Sequence, residues 1–489
     1  MDLSKIKTIY MIGIKGVGMT MLAQFLVGKG FSVSGSDTKE KFMTDEVLKS
    51  AGIKVIENFS LDNIPKDADL IIYSTAYNKE NNPEVAKALA GKTRTLTYAE
   101  GLAEIFNEHY GIAVVGSHGK TTTTAWLGFV LSQAGLSPNV LVGSRVPQFN
   151  GSSLVGKSDY LVAEIDEYQN KFKYFQPRAT ILTNIDYDHP DFFPTKGDYE
   201  DAFIKFIAKL PAKGFLVANF DDPVIRKTVN VNCRAKVISY GINEVADYVA
   251  YDIKPEAGKQ FFKVKFGLDE EEVEGERDDL LGDFSIQLSG VHNVSNALAV
   301  IAASIELDVP LNLIRTYLEE FSGTARRMQV LGQYRGATII DDYAHHPTEI
   351  KATLQGARQI YPNKKIIVVF HPHTFTRTKA LFDDFSKSFG QADEVIVLDI
   401  YGSAREKKEE IVGAQNLALD LVEAIKHKNT KTPRRQGFEG QAQKQQKIIY
   451  IPTLGECEKY LREKAERGEV IILMGAGDVF RIGENLVRE

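Results

Sequence analysis

The sequence predicts an α/β chain of three domains: an N-terminal Rossmann-like unit, a central phosphate-loop unit with a mixed sheet, and a C-terminal Rossmann-like doubly wound sheet. Three observations carry this expectation. The chain has 489 residues, too many for one hydrophobic core. Short apolar runs alternate with helical periods and end on glycine or polar turns, the pattern of parallel sheets. The stretch Ile112 to Thr124, IAVVGSHGKTTTT, passes from strand through a glycine-flanked turn into a helix, the layout of a phosphate-binding loop. The expected boundaries are 1–108, 109–322 and 323–489.

Composition narrows the function classes. Apolar residues make up 43% and charged residues 25%, with a net charge of -6, so no global field attracts nucleic acid or a membrane surface and an anionic ligand must be met by local cradles. The N-terminus MDLSKIKTIYMIGIKGVG enters a strand and a glycine turn without the regions of a signal peptide. No apolar run reaches the roughly 18 residues of a membrane span. Two distant thiols, Cys233 and Cys457, fit a reducing cytosol rather than a disulfide framework. A cytoplasmic monomer or weak homodimer is expected.

The first domain opens with a strand from Thr8 to Ile12, the turn Gly13, Gly16, Val17, Gly18, and a helix from about Met19 to Val27. A second strand ends at Ser36 and Asp37, and Asp69 to Tyr73 is another buried strand. The acidic residue stands about twenty positions beyond the glycines, where it can accept hydrogen bonds from a ribose or base. Ser74 and Thr75 follow a strand's C-terminal end, where phosphates bind. The spacing GxxGxG differs from GxGxxG, so a dinucleotide is not implied.

In the second domain, Gly116, Ser117, His118 and Gly119 form the turn and Lys120, Thr121 and Thr122 open the helix. Backbone N–H groups and the helix dipole cradle phosphates, the lysine neutralises β/γ charge, and the threonine hydroxyl can hold Mg²⁺. Val114 stands where the common motif has its first glycine, so this is a shorter variant. Strands at Tyr160 to Ala163, Thr180 to Thr183 and Phe215 to Ala218 follow. Glu164, Asp166 and Glu167 come after the first of them, and Asn184, Asp186, Asp188 and His189 after the second. In a parallel sheet these ends share an edge with the phosphate loop, and Glu164 and His189 are the expected Mg²⁺ ligands. Residues 245–288 alternate in period two, predicting a small antiparallel sheet with a charged hairpin at 269–279. His292, Asn293 and Asn296 then share one side of a helix, where amides can read a purine edge.

The third domain begins near Phe321, followed by Arg326 and Arg327. Strands at Ala337 to Ile340, Lys365 to Phe370, Glu394 to Leu398 and Val470 to Met474 alternate with helices. Two strand ends are chemically loaded: Asp341-Asp342-Tyr343-Ala344-His345-His346-Pro347 and His371-Pro372-His373-Thr374-Phe375-Thr376-Arg377. No cysteine accompanies the histidines, so zinc is not expected; recognition of a carboxylate or phosphate by His345 and Arg377 is. The stretch 426–447 is polar and aperiodic, and reads as a surface insertion.

Taken in order, GIKGVGM, GSHGKTTTT, AEIDEY, TNIDYDH, GVHNVSNALA, GTARR, DDYAHHPTEI, HPHTFTRT and GAGD resemble the Mur ligase family over essentially the whole chain. The resemblance implies ATP-dependent amide synthesis in peptidoglycan precursor assembly, with Mg²⁺. It puts the UDP of a sugar nucleotide on the first domain, ATP on the second and the incoming amino acid on the third. The forms of the third-domain motifs and of GIKGVGM are most like those of members joining L-alanine to UDP-N-acetylmuramate. Members attaching a whole peptide to that sugar nucleotide share most motifs and stay an alternative, as does a nucleotide-dependent switch ATPase. By resemblance, Lys120 and Thr121 belong to the phosphate loop and Glu164 and His189 to the metal. His292, Asn293 and Asn296 lie near adenine, Arg327 and Asp342 form a nucleotide clamp, and His345 and Arg377 serve the amino acid, His345 also as a candidate base. Three departures stand out: Lys15 replaces a common glycine, Thr374 a common arginine, and Lys205 cannot be aligned with the lysine that some members carbamoylate.

Overall fold

The computed structural model describes residues 5–256, 258–267, 280–402, 406, 416–429 and 446–488. The expected hairpin at 269–279 and residues 430–445 of the polar insertion lie outside the described residues. The fold class is the one predicted, with three sheets of five, ten and six strands.

The first sheet is wholly parallel, in the spatial order Lys54–Ile56, Ser32–Ser36, Thr8–Ile12, Leu70–Tyr73, Arg94–Thr97. Strand order reverses between Thr8–Ile12 and Leu70–Tyr73, so the crevice beyond their C-terminal ends receives both the Gly13–Gly18 turn and Ser74–Thr75. The helix after that turn covers Val17–Gly28.

In the second sheet Tyr110–Val115 lies between Ala179–Leu182 and Tyr160–Glu164, all parallel. That register brings the phosphate loop and the two acidic strand ends to one edge. The period-two region does form antiparallel strands, Tyr248–Glu256, Lys259–Phe266 and Leu280–Ile286. They are not a separate sheet, however: Tyr240 and Gly241 pair with Tyr248 and Val249 in parallel, so the ladder continues the main sheet outward. Helix Lys120–Gln133 is buried on all sides; its Trp126 stacks on Phe321 with centroids 5.2 Å apart and donates to the Leu318 carbonyl at 3.2 Å. A helix apolar all round must be enclosed, and this one is held between the sheet and the helices Val291–Glu306 and Leu311–Glu320.

The third sheet runs Gln329–Tyr334, Ala337–Asp342, Val470–Met474, Ile366–Phe370, Glu394–Val397, Lys447–Tyr450, with only the first strand antiparallel. The domains dock by specific contacts. Gln24 of the first accepts from Ser152 N (2.9 Å) of the second, Ser144 Oγ of the second donates to Ala325 O (3.0 Å), and Arg481 of the third donates to Lys41 O (2.8 Å) of the first. No helix among the described residues is long and apolar enough to cross a membrane, and both cysteines are free.

Candidate active site

The phosphate loop is shaped by two glycines that no other residue fits. Gly116 has φ +137°, and a Cβ there would sit 2.1 Å from Thr183 Oγ1; Gly119 has φ +81°, and a Cβ would sit 2.6 Å from Asn296 Oδ1. Neighbouring strand ends hold the turn in place. His118 N donates to Asn184 Oδ1 (2.8 Å), Thr183 Oγ1 donates to His118 O (2.6 Å), and Ser117 Oγ lies 2.7 Å from both the Asp186 carbonyl and the Tyr199 hydroxyl. Ser117 is thus occupied in holding the loop together. Lys120 Nζ donates to the carbonyls of Gly116 and Ser117. Burial would lower its pKa, but Glu167, Glu164, Asp166 and Asp188 around it hold the ammonium above its ordinary value. Thr122 is buried on the helix behind it.

Thr121 Oγ1 donates to both oxygens of Glu164 at 3.0 and 2.9 Å, and Gly143 N donates to Glu164 Oε2 at 3.0 Å. His189 sits at φ +56°, an uncommon conformation for a non-glycine residue. Its ring packs on Tyr168 at 4.6 Å, and Nε2 lies 3.7 Å from Glu167 Oε1. Glu167 is almost fully buried, accepts from Tyr199 (3.0 Å) through Oε1, and keeps Oε2 without a hydrogen-bond partner. This oxygen, 3.9 Å from Lys120 Nζ, the Thr121 hydroxyl and the Glu164 carboxylate are hard oxygen donors of the kind that suits Mg²⁺. Asp166 is tied to Lys171 at 2.7 and 2.8 Å. Lys205 lies exposed and paired with Asp201 at 3.6 Å.

The third domain closes over this edge. Arg377 is buried and forms a forked pair with Asp188 of the second domain, Nε to Oδ1 at 2.7 Å and Nη2 to Oδ2 at 3.2 Å, while Nη1 faces His373 Nδ1 at 3.2 Å. Despite burial, the guanidinium holds the Asp188 carboxyl well below the usual range. Arg377, expected on the amino-acid side, has its Nε and Nη2 engaged by this internal acid. Asp342, expected in the nucleotide clamp, is buried and accepts from Met328 N (2.8 Å), Ala344 N (2.9 Å) and Thr353 Oγ1 (3.0 Å). Arg327, by contrast, is partly exposed, 3.4 Å from Glu349 Oε1 and over the ring of Tyr343. Arg326 is the structural member of the pair, bonded to Asp341 (3.0 Å) and sandwiched between Tyr343 and Phe480. Thr374, at the departure from the common arginine, caps the helix carrying Arg377.

His118 reaches across the interface, with Nε2 3.0 Å from Asp186 and Nδ1 3.4 Å from Glu349 of the third domain. Burial works against its charge, yet the two carboxylates lift its pKa to about 9. Thr348 Oγ1 donates to Asp186 at 2.6 Å. His118, Asp186 and His346 have ligand atoms within 4.8 Å of one another, but the direct His118–Asp186 bond and the Thr348 N–H donated to His346 Nδ1 at 3.3 Å account for those atoms. Of the helix residues expected near a purine, Asn293 donates to Ser289 O (2.7 Å), Asn296 donates to Asn293 Oδ1 (3.2 Å) and abuts Gly119, and His292 is exposed.

A cleft of about 280 Å³ joins the first domain to this edge, lined by Gly16, Val17, Gly18, Ser74, Thr75, Tyr98, Glu164 and Asp166. Gly18 lets the chain pass Tyr98, since a Cβ would lie 2.6 Å from its ring. Gly13 (φ +78°) makes the turn behind them. Ser36 and Asp37, expected on the UDP-sugar side, lie outside the lining of this cleft. Ser36 is buried against Glu84, and Asp37 accepts from Lys15 N (2.7 Å), Thr38 N (2.8 Å) and the Tyr77 hydroxyl (3.4 Å). The Lys15 side chain leads away from the turn to Thr38 O, Glu40 O and Glu57, so it leaves the glycine approach clear. Glu167, Asp188 and Glu349 carry more of the site than their sequence contexts indicate; each reads as an ordinary acid after a strand or in a helix's first turn.

Fold and site together define a three-domain phosphate-loop protein with a cleft between its first and second domains. The chain belongs to the Mur ligase family: residues 8–110 match the Mur ligase family catalytic domain, 114–304 the middle domain and 326–477 the glutamate ligase domain. It is 39% identical over 481 residues to UDP-N-acetylmuramate--L-alanine ligase of Desulfitobacterium hafniense, covering 98% of this chain and 99% of that one, and 38% identical over 480 residues to the Clostridium acetobutylicum protein of the same name, covering 98% and 97%. Among solved structures, UDP-N-acetylmuramate-alanine ligase of Thermotoga maritima superposes with TM-score 0.76 at 27% identity, covering 99% of this chain and 98% of that one. A murein peptide ligase of Psychrobacter arcticus shares the fold with TM-score 0.70 at 23% identity, covering 99% and 98%.

Proposed function

We propose that this protein joins L-alanine to the lactyl carboxylate of UDP-N-acetylmuramate at the expense of ATP, in the cytoplasm. The observation that carries the reading is a cleft where the Gly16–Gly18 turn meets Glu164, the carboxylate that accepts from Thr121 of the phosphate loop, in a chain similar from end to end to ligases of that name. The γ-phosphoryl leaves ADP for the lactyl carboxylate, giving an acyl phosphate. The amine then attacks its carbonyl carbon, the C–N bond forms, the C–O bond to phosphate breaks, and inorganic phosphate and ADP leave. Lys120 faces the charge that develops on the transferring group. Thr121, Glu164 and His189, with Glu167 beside them, would hold Mg²⁺, which when bound neutralises phosphate charge. Closure of the third domain keeps water from the acyl phosphate.

The test is phosphate release with ATP and UDP-N-acetylmuramate. A high rate with L-alanine, a slower one with glycine or L-serine and almost none with a tripeptide are expected. Preference for the tripeptide would move the reading to a peptide-attaching ligase, and phosphate release indifferent to the sugar nucleotide would move it to a switch ATPase.

A further inference from the structure

The hydrogen-bond partners of His345, His346 and His373 fix their tautomers without reference to any ligand. His373 Nδ1 faces the guanidinium of Arg377 at 3.2 Å; a guanidinium only donates, so Nδ1 accepts and the proton sits on Nε2. His346 Nδ1 accepts from Thr348 N at 3.3 Å, and its Nε2 lies 3.3 Å from the Tyr187 carbonyl, which again requires the proton on Nε2. His118 lies between two carboxylates and carries both protons. His345 is the opposite case. Its Nδ1 is 3.0 Å from the Tyr343 carbonyl and 3.2 Å from Glu349 Oε2, both of them acceptors. Nδ1 must therefore carry the proton, and Nε2 keeps a lone pair that no described residue engages.

Glu349 is built to hold that state. It is nearly buried, and its Oε2 accepts from the backbone N–H of His345 at 3.1 Å as well as facing the ring. Its Oε1 is pinned from the other side by His118 of the phosphate loop and by Arg327, each at 3.4 Å. Burial notwithstanding, His345, His118 and Arg327 hold the carboxyl well below the usual range.

We infer that Glu349 is a positioning residue that fixes His345 in the Nδ1–H tautomer, so that Nε2 takes the proton released by the amine as it attacks the acyl phosphate. The inference rests on the amide-forming reaction proposed above. In that step the amine nitrogen bonds to the acyl carbon, its proton passes to His345 Nε2, and phosphate departs with the electrons of the broken C–O bond. One anchor of the carboxylate is the phosphate-loop histidine, so the third domain's proton acceptor is held against the second domain.

Two measurements test this. In the wild-type enzyme selectively labelled with ¹⁵N-histidine, the His345 resonances, assigned by their loss in His345→Asn, should show a protonated Nδ1 and a bare Nε2; a protonated Nε2 in the closed enzyme overturns the inference, whatever any variant does. In Glu349→Gln, turnover with L-alanine should fall by about a hundredfold. Positional isotope exchange within ATP, run with UDP-N-acetylmuramate and no amino acid, should persist at a rate well above that turnover. The double variant Glu349→Gln/His345→Asn should be no slower than His345→Asn alone. The groups facing His345 are Glu349 and the Tyr343 carbonyl on its own segment, Arg377 and His373 from the neighbouring loop, and Asp188 from the second domain. Glu349 is the carboxylate that most favours its charged form, so the acid limb of the alanine profile should move to lower pH in Glu349→Gln. Equal loss of isotope exchange and turnover, multiplicative effects in the double variant, or an unmoved acid limb would reduce Glu349 to a packing residue. Absence of alanine-dependent turnover in the wild-type would instead defeat the proposed function itself.

Discussion

Arg377 and Asp188 are the clearest case of a residue whose role is set by its partner. The pair is buried on both sides of the domain boundary, with the fork at 2.7 and 3.2 Å. Removing one charge leaves the other uncompensated in a dry site, so Arg377→Ala should cost about 3 kcal/mol of unfolding free energy, measured by denaturant titration. Removing Asp188 as well, as Asn, should restore part of that loss; an unchanged stability in the single variant would mean the pair is solvated. His118 and Asp186 set a pH window for the same interface. The folded pKa of His118, about 9, stands above its ordinary 6.5, so its contribution is complete below 6.5 and fades as pH rises through about 9. Asp186 is opposed by burial but pulled down to about 2 by His118 and His346, so its contribution is present above 3.8 and is lost as pH falls through about 2. Thermal midpoints across pH should therefore form a plateau that declines at both ends, and His118→Asn should flatten the alkaline decline.

The phosphate-loop helix shows what a strand–turn–helix element owes to its neighbours. Its N-terminus begins at Gly119 in a left-handed conformation with Asn296 packed against it. Gly119→Ala meets both objections at once, a positive φ that costs on the order of 1 kcal/mol and a methyl placed 2.6 Å from Asn296 Oδ1. We expect ATP binding by calorimetry to weaken about tenfold or more, with UDP-sugar binding to the first domain unchanged. Asn296 in this view supports the loop as much as it faces a nucleotide. The three-stranded extension Tyr248–Glu256, Lys259–Phe266, Leu280–Ile286 carries the opposite lesson: its alternation was plain in the sequence, but its attachment to the main sheet rests on two pairs of backbone partners at Tyr240 and Gly241.

Across the whole molecule, Asp186 ties the second domain to the third. Its carboxylate receives Thr348 Oγ1 at 2.6 Å and His118 Nε2 at 3.0 Å, and its backbone holds Ser117. Asp186→Asn keeps the shape but removes the charge that His118 answers. We expect looser closure, seen as a higher ratio of ATP hydrolysed to amide formed, because an open cleft admits water to the acyl phosphate. A ratio equal to wild-type with turnover reduced would place the residue in loop geometry alone.

The sequence by itself determined the three-domain α/β class, the glycine turns, the phosphate loop and the loaded strand ends, because hydrophobic period, glycine conformation and strand-end chemistry are local properties. It also brought Glu164 and His189 to the loop's edge, since parallel strands share their C-terminal side. It did not distinguish Ser36 and Asp37, turned inward beneath the turn, from the residues that line the cleft. Nor did it show that Arg377 and Asp342 are engaged by internal partners. Those assignments depend on which acid or amide lies opposite, often more than 100 residues away, as with Asp188 and Arg377. Glu349 shows the limit most plainly: in sequence it is an ordinary acid in the first turn of a helix, and only domain packing places His118 and Arg327 on one of its oxygens and His345 on the other.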